Sequence, residues 1–312
     1  GGRNIALFLW PLNTQYMKQI HVEASTYCNS RCPLCPRNSY GYNVKGVYPE
    51  IHLQVGKFKE ALKKIPGYEF VYFNGHLGDP MMNPNIVELT EQTNCLTSVT
   101  TNGSIGTKDS WIQLAKNNIR VNFSIDGLED TNHLYRQDVN WNKIMERVRW
   151  FIDAGGHATW KWITFRHNKH QVEQAKELSK QLGFKELYTD EQGRNYGPAL
   201  DREGNVSHWI LPAEGDEKPT PYDAQAGIQR YKETHANFFP EEKIYNIQCE
   251  HLMNNDTYIN AKGEVGPCCY HGYDMPGRPF VKLEDHPKLM ASWKTTNCNP
   301  VCAMTCGKGF LE

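Results

Sequence analysis

Cys28, Cys32 and Cys35 fall within eight residues, in Tyr27-Cys28-Asn29-Ser30-Arg31-Cys32-Pro33-Leu34-Cys35, directly after a strand-like segment. Three thiolates on one short loop can hold three corners of a cubane iron–sulfur cluster and leave its fourth iron without a protein ligand. An open iron can bind and reduce something, whereas a fully ligated cluster mainly passes electrons. A disulfide knot is one competing reading. A chain of 312 residues with 39% hydrophobic content can bury a large core without staples, and no secretory signal is legible. Zinc is the other. Structural zinc sites usually join two C-x2-C pairs and close at four ligands, which this C-x3-C-x2-C run fits poorly.

A second constellation begins at Cys249. Tyr258-Ile259-Asn260-Ala261-Lys262-Gly263-Glu264-Val265 reads as a hairpin that brings Cys249 near Cys268, and Cys298, Cys302 and Cys306 follow. Cys268 and Cys269 are adjacent, so on a strand they point to opposite faces and do not serve one cluster. A zinc site from the same thiols is the bland alternative. Cys95 stands alone and reads as core.

The elements that would position these residues alternate. Strands are expected over residues 17–23, 69–74, 97–101, 119–125, 158–165 and 185–189, and helices over 55–65, 85–93, 108–117, 140–154 and 171–182. Pro66-Gly67, Gly155-Gly156 and Gly183 mark helix ends. Six strands alternating with five helices imply a parallel sheet with right-handed crossovers, too few units to close an eight-stranded barrel. The fold class expected is α/β, a partial (β/α)6 barrel over residues 1–190. A surface connection with local order around His208-Trp209-Ile210-Leu211 follows over 191–245, then a small β-hairpin/α domain over 246–312.

The unusual residues all lie just past strand C-terminal ends, where α/β barrels carry their chemistry. In order they are the cysteine loop, Asn74-Gly75-His76-Leu77-Gly78-Asp79-Pro80, Thr101-Asn102-Gly103, Ser124-Ile125-Asp126-Gly127 and Arg166-His167-Asn168. Any one alone is an ordinary turn. Their succession on one rim, opened by the cysteines, is not.

Residues 16–190 thereby resemble the core of the radical S-adenosylmethionine (radical SAM) superfamily. The resemblance implies that Cys28, Cys32 and Cys35 bind a 4Fe-4S cluster whose open iron chelates the methionine end of S-adenosylmethionine. An electron then cleaves that cofactor to a 5′-deoxyadenosyl radical. Leu34 stands where the family usually has an aromatic residue. Gly78-Asp79-Pro80 is similar to the family's Gly-Gly-Glu-Pro segment, which implies that backbone groups and the Asp79 carboxylate hold the cofactor's ammonium. By the same resemblance Ser124 contacts the ribose, and Asn168 is a polar contact at the rim. Arg136 either pairs with the cofactor carboxylate or makes a surface ion pair. His76 and His167 are candidate proton donors, or incidental loop histidines.

The pattern from Cys249 through Gly263 to Cys268 resembles the opening half of the SPASM and Twitch auxiliary-cluster domains. That implies a second 4Fe-4S cluster held by Cys249, Cys268, Cys302 and Cys306, with Cys298 or Cys269 able to replace a neighbour.

Composition narrows the partners. A net charge of −1 and a pI near 6.9 do not favour a nucleic-acid duplex. No apolar run reaches the roughly 18 residues of a membrane span. Ten cysteines suggest a reducing cytoplasm. About fifteen residues precede the first strand, so no peptide-recognition domain is expected there. The expected substrate is a peptide, or else a polar small molecule such as a sugar, aminocyclitol or nucleotide. The expected electron source is an external donor such as flavodoxin or ferredoxin. A non-catalytic electron carrier is the contrasting reading; it would leave the rim motifs without a purpose.

Overall fold

The computed structural model describes residues 18–65, 67–190, 196–236, 256–266 and 269. Six parallel strands follow one another in chain order: β1 (Gln19–Val22), β2 (Phe70–Asn74), β3 (Leu96–Thr101), β4 (Arg120–Ser124), β5 (His157–Ile163) and β6 (Glu186–Asp190). Between them run α1 (Val55–Lys64), α2 (Ile86–Glu91), α3 (Lys108–Lys116), the single turn α4 (Asn132–Tyr135), α5 (Trp141–Asp153) and α6 (Val172–Leu182). The parallel α/β arrangement is the one expected.

Apolar spacing explains the helices. In α5, Ile144, Met145, Val148 and Phe151 recur at helical spacing and are buried. The Asn140 side chain caps its start by accepting from the Lys143 amide. Thr107 caps α3 in the same way, and Gly183, at φ +89°, ends α6 in the left-handed conformation.

One sheet face packs on these helices. Ile20, Val22, Val71, Phe73, Val99, Val121, Phe123 and Trp160 share a single core with Phe58, Trp111, Leu114, Ile144 and Phe151. Each such side chain contributes about 1.5–3 kcal/mol relative to exposure. Successive strand residues point to opposite faces, so the other face carries His21, Tyr72, Ser98, Thr100, Asn122, Ser124, Thr159 and Lys161. Register aligns His21 with Tyr72, Tyr72 with Ser98 and Ser98 with Arg120 in one row. The inner face is therefore polar, and the outer face carries the core.

The sheet extends beyond six strands. β9 (Thr257–Ile259) pairs parallel with β1, and β10 (Val265–Gly266) pairs antiparallel with β9, giving the order β10-β9-β1-β2-β3-β4-β5-β6. The expected hairpin is present. Its Asn260 side chain accepts from the Lys262 and Glu264 amides, and Gly263 sits at φ +80°. Its first strand continues the main sheet, although sequence placed it in a separate C-terminal unit.

Residues 196–236 are more ordered than the expected surface connection. β7 (Gly197–Leu200) and β8 (Val206–Ile210) form an antiparallel hairpin, and α7 (Ala224–Ala236) follows. All four β7 residues are buried. Ala199 and Ile210 share a small core with Cys32, Tyr135 and Phe165, with Leu34 and Cys35 packed against it. The hairpin thus lies on the cysteine loop. The order expected around residues 208–211 falls at β8, whereas sequence hid β7, because a strand opening Gly197-Pro198 carries the residues of a turn. Among the described residues no helix is long and apolar enough to cross a membrane.

Candidate functional site

The C-terminal ends of the parallel strands meet at one rim, and the loops there are tied together. The cysteine loop turns on itself through the Cys35 amide to the Cys32 carbonyl, 3.1 Å, and the Asn38 amide to the Cys35 carbonyl, 3.2 Å. Arg31 anchors it from outside, donating to Asp138 at 2.6 Å and to the Gly41 carbonyl at 2.9 Å. Asn29 donates to Ser104 at 2.8 Å and accepts from Asn102 at 3.0 Å, joining the loop that follows β3. The Asp79 amide donates to the Tyr27 carbonyl at 2.8 Å, joining the loop that follows β2.

The loop at residues 75–80 sits hard against the exit of β1. A Cβ on Gly78 would stand 2.0 Å from the Ser25 carbonyl oxygen, so only glycine fits. The Asp79 side chain is buried and accepts from the Thr101 hydroxyl at 2.8 and 3.0 Å, the Asn102 amide at 2.8 Å and the Met81 amide at 2.9 Å. A carboxylate offers about four acceptor sites, and three donors of this chain, the Thr101 hydroxyl and the Asn102 and Met81 amides, take three of them. Burial raises the Asp79 pKa despite those donors. In the same loop the Leu77, Asp79 and Pro80 carbonyls already accept from Arg37, Met82 and Asn83. Pro80 opens a short 3-10 turn that Asp79 caps.

Arg136 is not a surface ion pair. Its Nε donates to Asp126 at 2.6 Å, and Nη1 lies 3.5 Å from the Cys32 sulfur. Burial alone would lower its pKa, but Asp126, with a further contribution from Cys32, holds it well above the usual value. Asp126 is fully buried and also accepts from the Ile163 amide at 2.6 Å. Asn168 is fully buried as well. It donates to the Asp126 and Ile163 carbonyls at 2.8 and 2.9 Å and accepts from the Phe165 amide, which makes it a brace between β4 and β5. Ser124 ends β4 at half burial, on the inner face. His167 stacks on Phe165, and burial, with His208, His133 and His170 adding, brings its pKa down to about 4. The His76 amide donates to Glu23.

Two residues central to this geometry escaped the sequence reading. Glu23 is fully buried at the end of β1 and gathers the amides of His76, Leu77 and Gly78. Arg37 donates to the Thr26 and Leu77 carbonyls and lies 3.7 Å from Glu50. The available signal for Glu23 was a charged residue on the core-bound strand that leads into the cysteines.

The residues present fit a cluster with a bound cofactor on two observations. The donor set on the loop is three thiols, Cys28, Cys32 and Cys35. The adjoining loop has a glycine-dependent seat. Burial first, then the charges of Asp79 and Cys32, pushes the Cys28 thiol up, so a metal rather than solvent would have to stabilise its thiolate. Among the described residues no three His, Cys, Asp or Glu side chains close around a single metal ion. Cys249, Cys268, Cys302 and Cys306 lie outside the described residues, as does Cys298. Cys269 is described and half-buried.

A parallel α/β sheet with a three-thiol loop on its C-terminal rim defines a class of metalloenzyme scaffold. Within that class the sequence model of the Radical SAM superfamily matches residues 22–179, and the chain belongs to that superfamily. Membership assigns the general chemistry, S-adenosylmethionine used with a 4Fe-4S cluster. The chain is 23% identical over 268 residues to the tungsten-containing aldehyde ferredoxin oxidoreductase cofactor-modifying protein of Pyrococcus furiosus, covering 81% of this chain and 71% of that one. Among solved structures it is similar to Streptococcus suis SuiB bound to precursor peptide SuiA. There the TM-score is 0.59 at 15% identity, over 94% of this chain and 70% of that one. Native anSMEcpe with bound AdoMet matches at TM-score 0.45 and 20% identity, over 55% of this chain. The chain spans half the length of that protein.

Proposed function

We propose that the protein cleaves S-adenosylmethionine reductively to a 5′-deoxyadenosyl radical and takes hydrogen from a substrate, for oxidative modification of a peptide. The observation that carries this reading is the joining of the cysteine loop, the 75–80 loop and the 102–104 loop by direct hydrogen bonds at one rim. A bound cluster and cofactor supply the electron and the radical; the chain supplies position and exclusion of water. Cys28, Cys32 and Cys35 hold the core cluster. Backbone groups of the Gly78-Asp79-Pro80 segment and the Asp79 carboxylate receive the cofactor's ammonium, and Ser124 faces its ribose. Arg136 sets the charge beside Cys32, and Asn168 braces the strands beneath. Cys249, Cys268, Cys302 and Cys306 hold an auxiliary cluster of the Twitch/SPASM kind, which takes the second electron from the substrate radical. An external flavodoxin or ferredoxin in a reducing cytoplasm provides the first.

A peptide is favoured by the likeness to SuiB, a fold solved with a precursor peptide. A polar small molecule is the second reading. It is favoured by the hydroxyl- and amide-lined inner face and by the relative that modifies a cofactor. The test is anaerobic turnover with deuterated candidates and analysis of 5′-deoxyadenosine. Deuterium from a peptide is expected; transfer only from a free sugar or nucleoside overturns the peptide choice. Reconstituted protein should hold roughly eight iron, two cubanes. Replacing Cys28, Cys32 and Cys35 by Ala should remove about half the iron and all cleavage. Full cleavage by that variant would overturn the reading.

A further inference from the structure

The amides of His76, Leu77 and Gly78 are consecutive, and all three point at one carboxylate. Glu23 accepts from His76 at 3.0 Å, from Leu77 at 3.1 and 3.2 Å and from Gly78 at 2.9 Å. Successive amides of this kind form a concave anion site, and here a side chain of the same protein fills it. A fourth donor comes from far along the chain. The Tyr258 hydroxyl reaches the same carboxylate at 2.9 Å. Tyr258 is fully buried on β9, edge-on to the His21 ring with centroids 5.0 Å apart, and β9 is held in register along β1.

We infer that Glu23 and Tyr258 are positioning residues for the 75–80 loop, so that β9, a strand beyond the stretch matched by the superfamily, completes the S-adenosylmethionine site. The inference rests on the proposed role of that loop. Its physical basis is the lack of slack. Gly78 already sits against the Ser25 carbonyl, and the next residue donates to Tyr27, one position before Cys28. The loop cannot relax toward the cysteines, so the carboxylate sets its height above the rim. A displacement of about an ångström in a group that positions a reactant is costly. Tyr258 in turn orients the carboxylate, because its hydroxyl occupies the oxygen that serves His76.

The test uses anaerobically reconstituted full-length protein with two readings: hydrogen exchange at the amides of residues 76–78, and the affinity for S-adenosylmethionine by calorimetry. Tyr258→Phe keeps the ring and deletes one donor. Glu23→Gln keeps the volume and sets an NH2 group against an amide N–H. A hydrogen bond to a charged group accounts for about tenfold or more. Exchange should therefore accelerate by about tenfold in both variants, with affinity falling about three- to tenfold in Tyr258→Phe and more in Glu23→Gln. The cluster absorption should stay unchanged in both. Lys262→Ala, exposed on the same hairpin, should alter neither reading. Wild-type exchange and affinity in Tyr258→Phe overturn the inference, and that variant decides the matter if Glu23→Gln does not fold. If the wild type itself does not bind S-adenosylmethionine, the proposed function falls, while the exchange arm still reads whether these residues hold the loop.

Discussion

Arg136 joins two charges that would otherwise be costly. Asp126 is buried without solvent, and the guanidinium both neutralises it and reaches the Cys32 sulfur. Removing one partner of a buried pair strands the other, at about 3–5 kcal/mol. Arg136→Met should therefore destabilise the protein by about that amount, measured by anaerobic chemical unfolding. It should also shift the core cluster to a more negative potential, because a nearby cation favours the reduced form. A variant of wild-type stability would show that the Arg136–Asp126 pair does not contribute to holding the fold. Sequence could name Arg136 as a candidate but could not choose between cofactor and surface, since Asp126 is ten positions away and its burial is a tertiary fact. Glu23 was harder still. Its partners lie 53 to 55 and 235 positions distant, and no local period announces them.

At the level of elements, legibility followed local chemistry. The parallel strands and the helices α1, α2, α3, α5 and α6 announced themselves through period and caps, as in α5 with its Asn140 start. Strand β7 of the β7–β8 hairpin did not, because Gly197 and Pro198 resemble a turn and its burial depends on Tyr40, Tyr135 and Phe165 far away in sequence. α7 escaped too, its stripe reduced to Ile228 and Tyr231 packing beneath Tyr42 and Val44. The hairpin carries a test of its own. Ile210→Ala opens a cavity beside Cys32 and should cost about 2–5 kcal/mol locally. In cluster-free protein the Cys32 thiol should then react faster with an alkylating reagent, while Cys95, in the main core, should react at an unchanged rate. Equal rates at Cys32 in both forms would mean that the hairpin does not shield the loop.

The molecule as a whole inherits a pH signature from Glu23. Burial lifts its carboxyl from 4.5 to about 7, against four donors that favour the anion. The folded state then binds a proton more tightly than the unfolded chain. Stability from this group is full below about pH 4.5 and is lost as pH rises through about 7. The shift corresponds to roughly 3 kcal/mol. Relative to Glu23→Gln, which does not titrate, the wild type should lose stability between pH 5 and 7.5, followed as the difference in anaerobic melting temperature. A flat difference would mean that the donors hold the carboxylate ionised throughout.

The pairing of β9 with β1 also orders events in time. Ile20 waits for Thr257, 237 positions later (257 − 20). At a synthesis rate of about 5–20 residues per second, that partner emerges roughly 10–50 seconds after β1. For that interval the strand leading into the cysteine loop is a bare sheet edge, open to pairing with any other extended chain. The same delay leaves Glu23 without its tyrosine. A nascent chain can therefore gather its three cysteines early but cannot seat the neighbouring loop until β9 arrives. The distance in sequence between β1 and β9 separates the making of the rim from its completion.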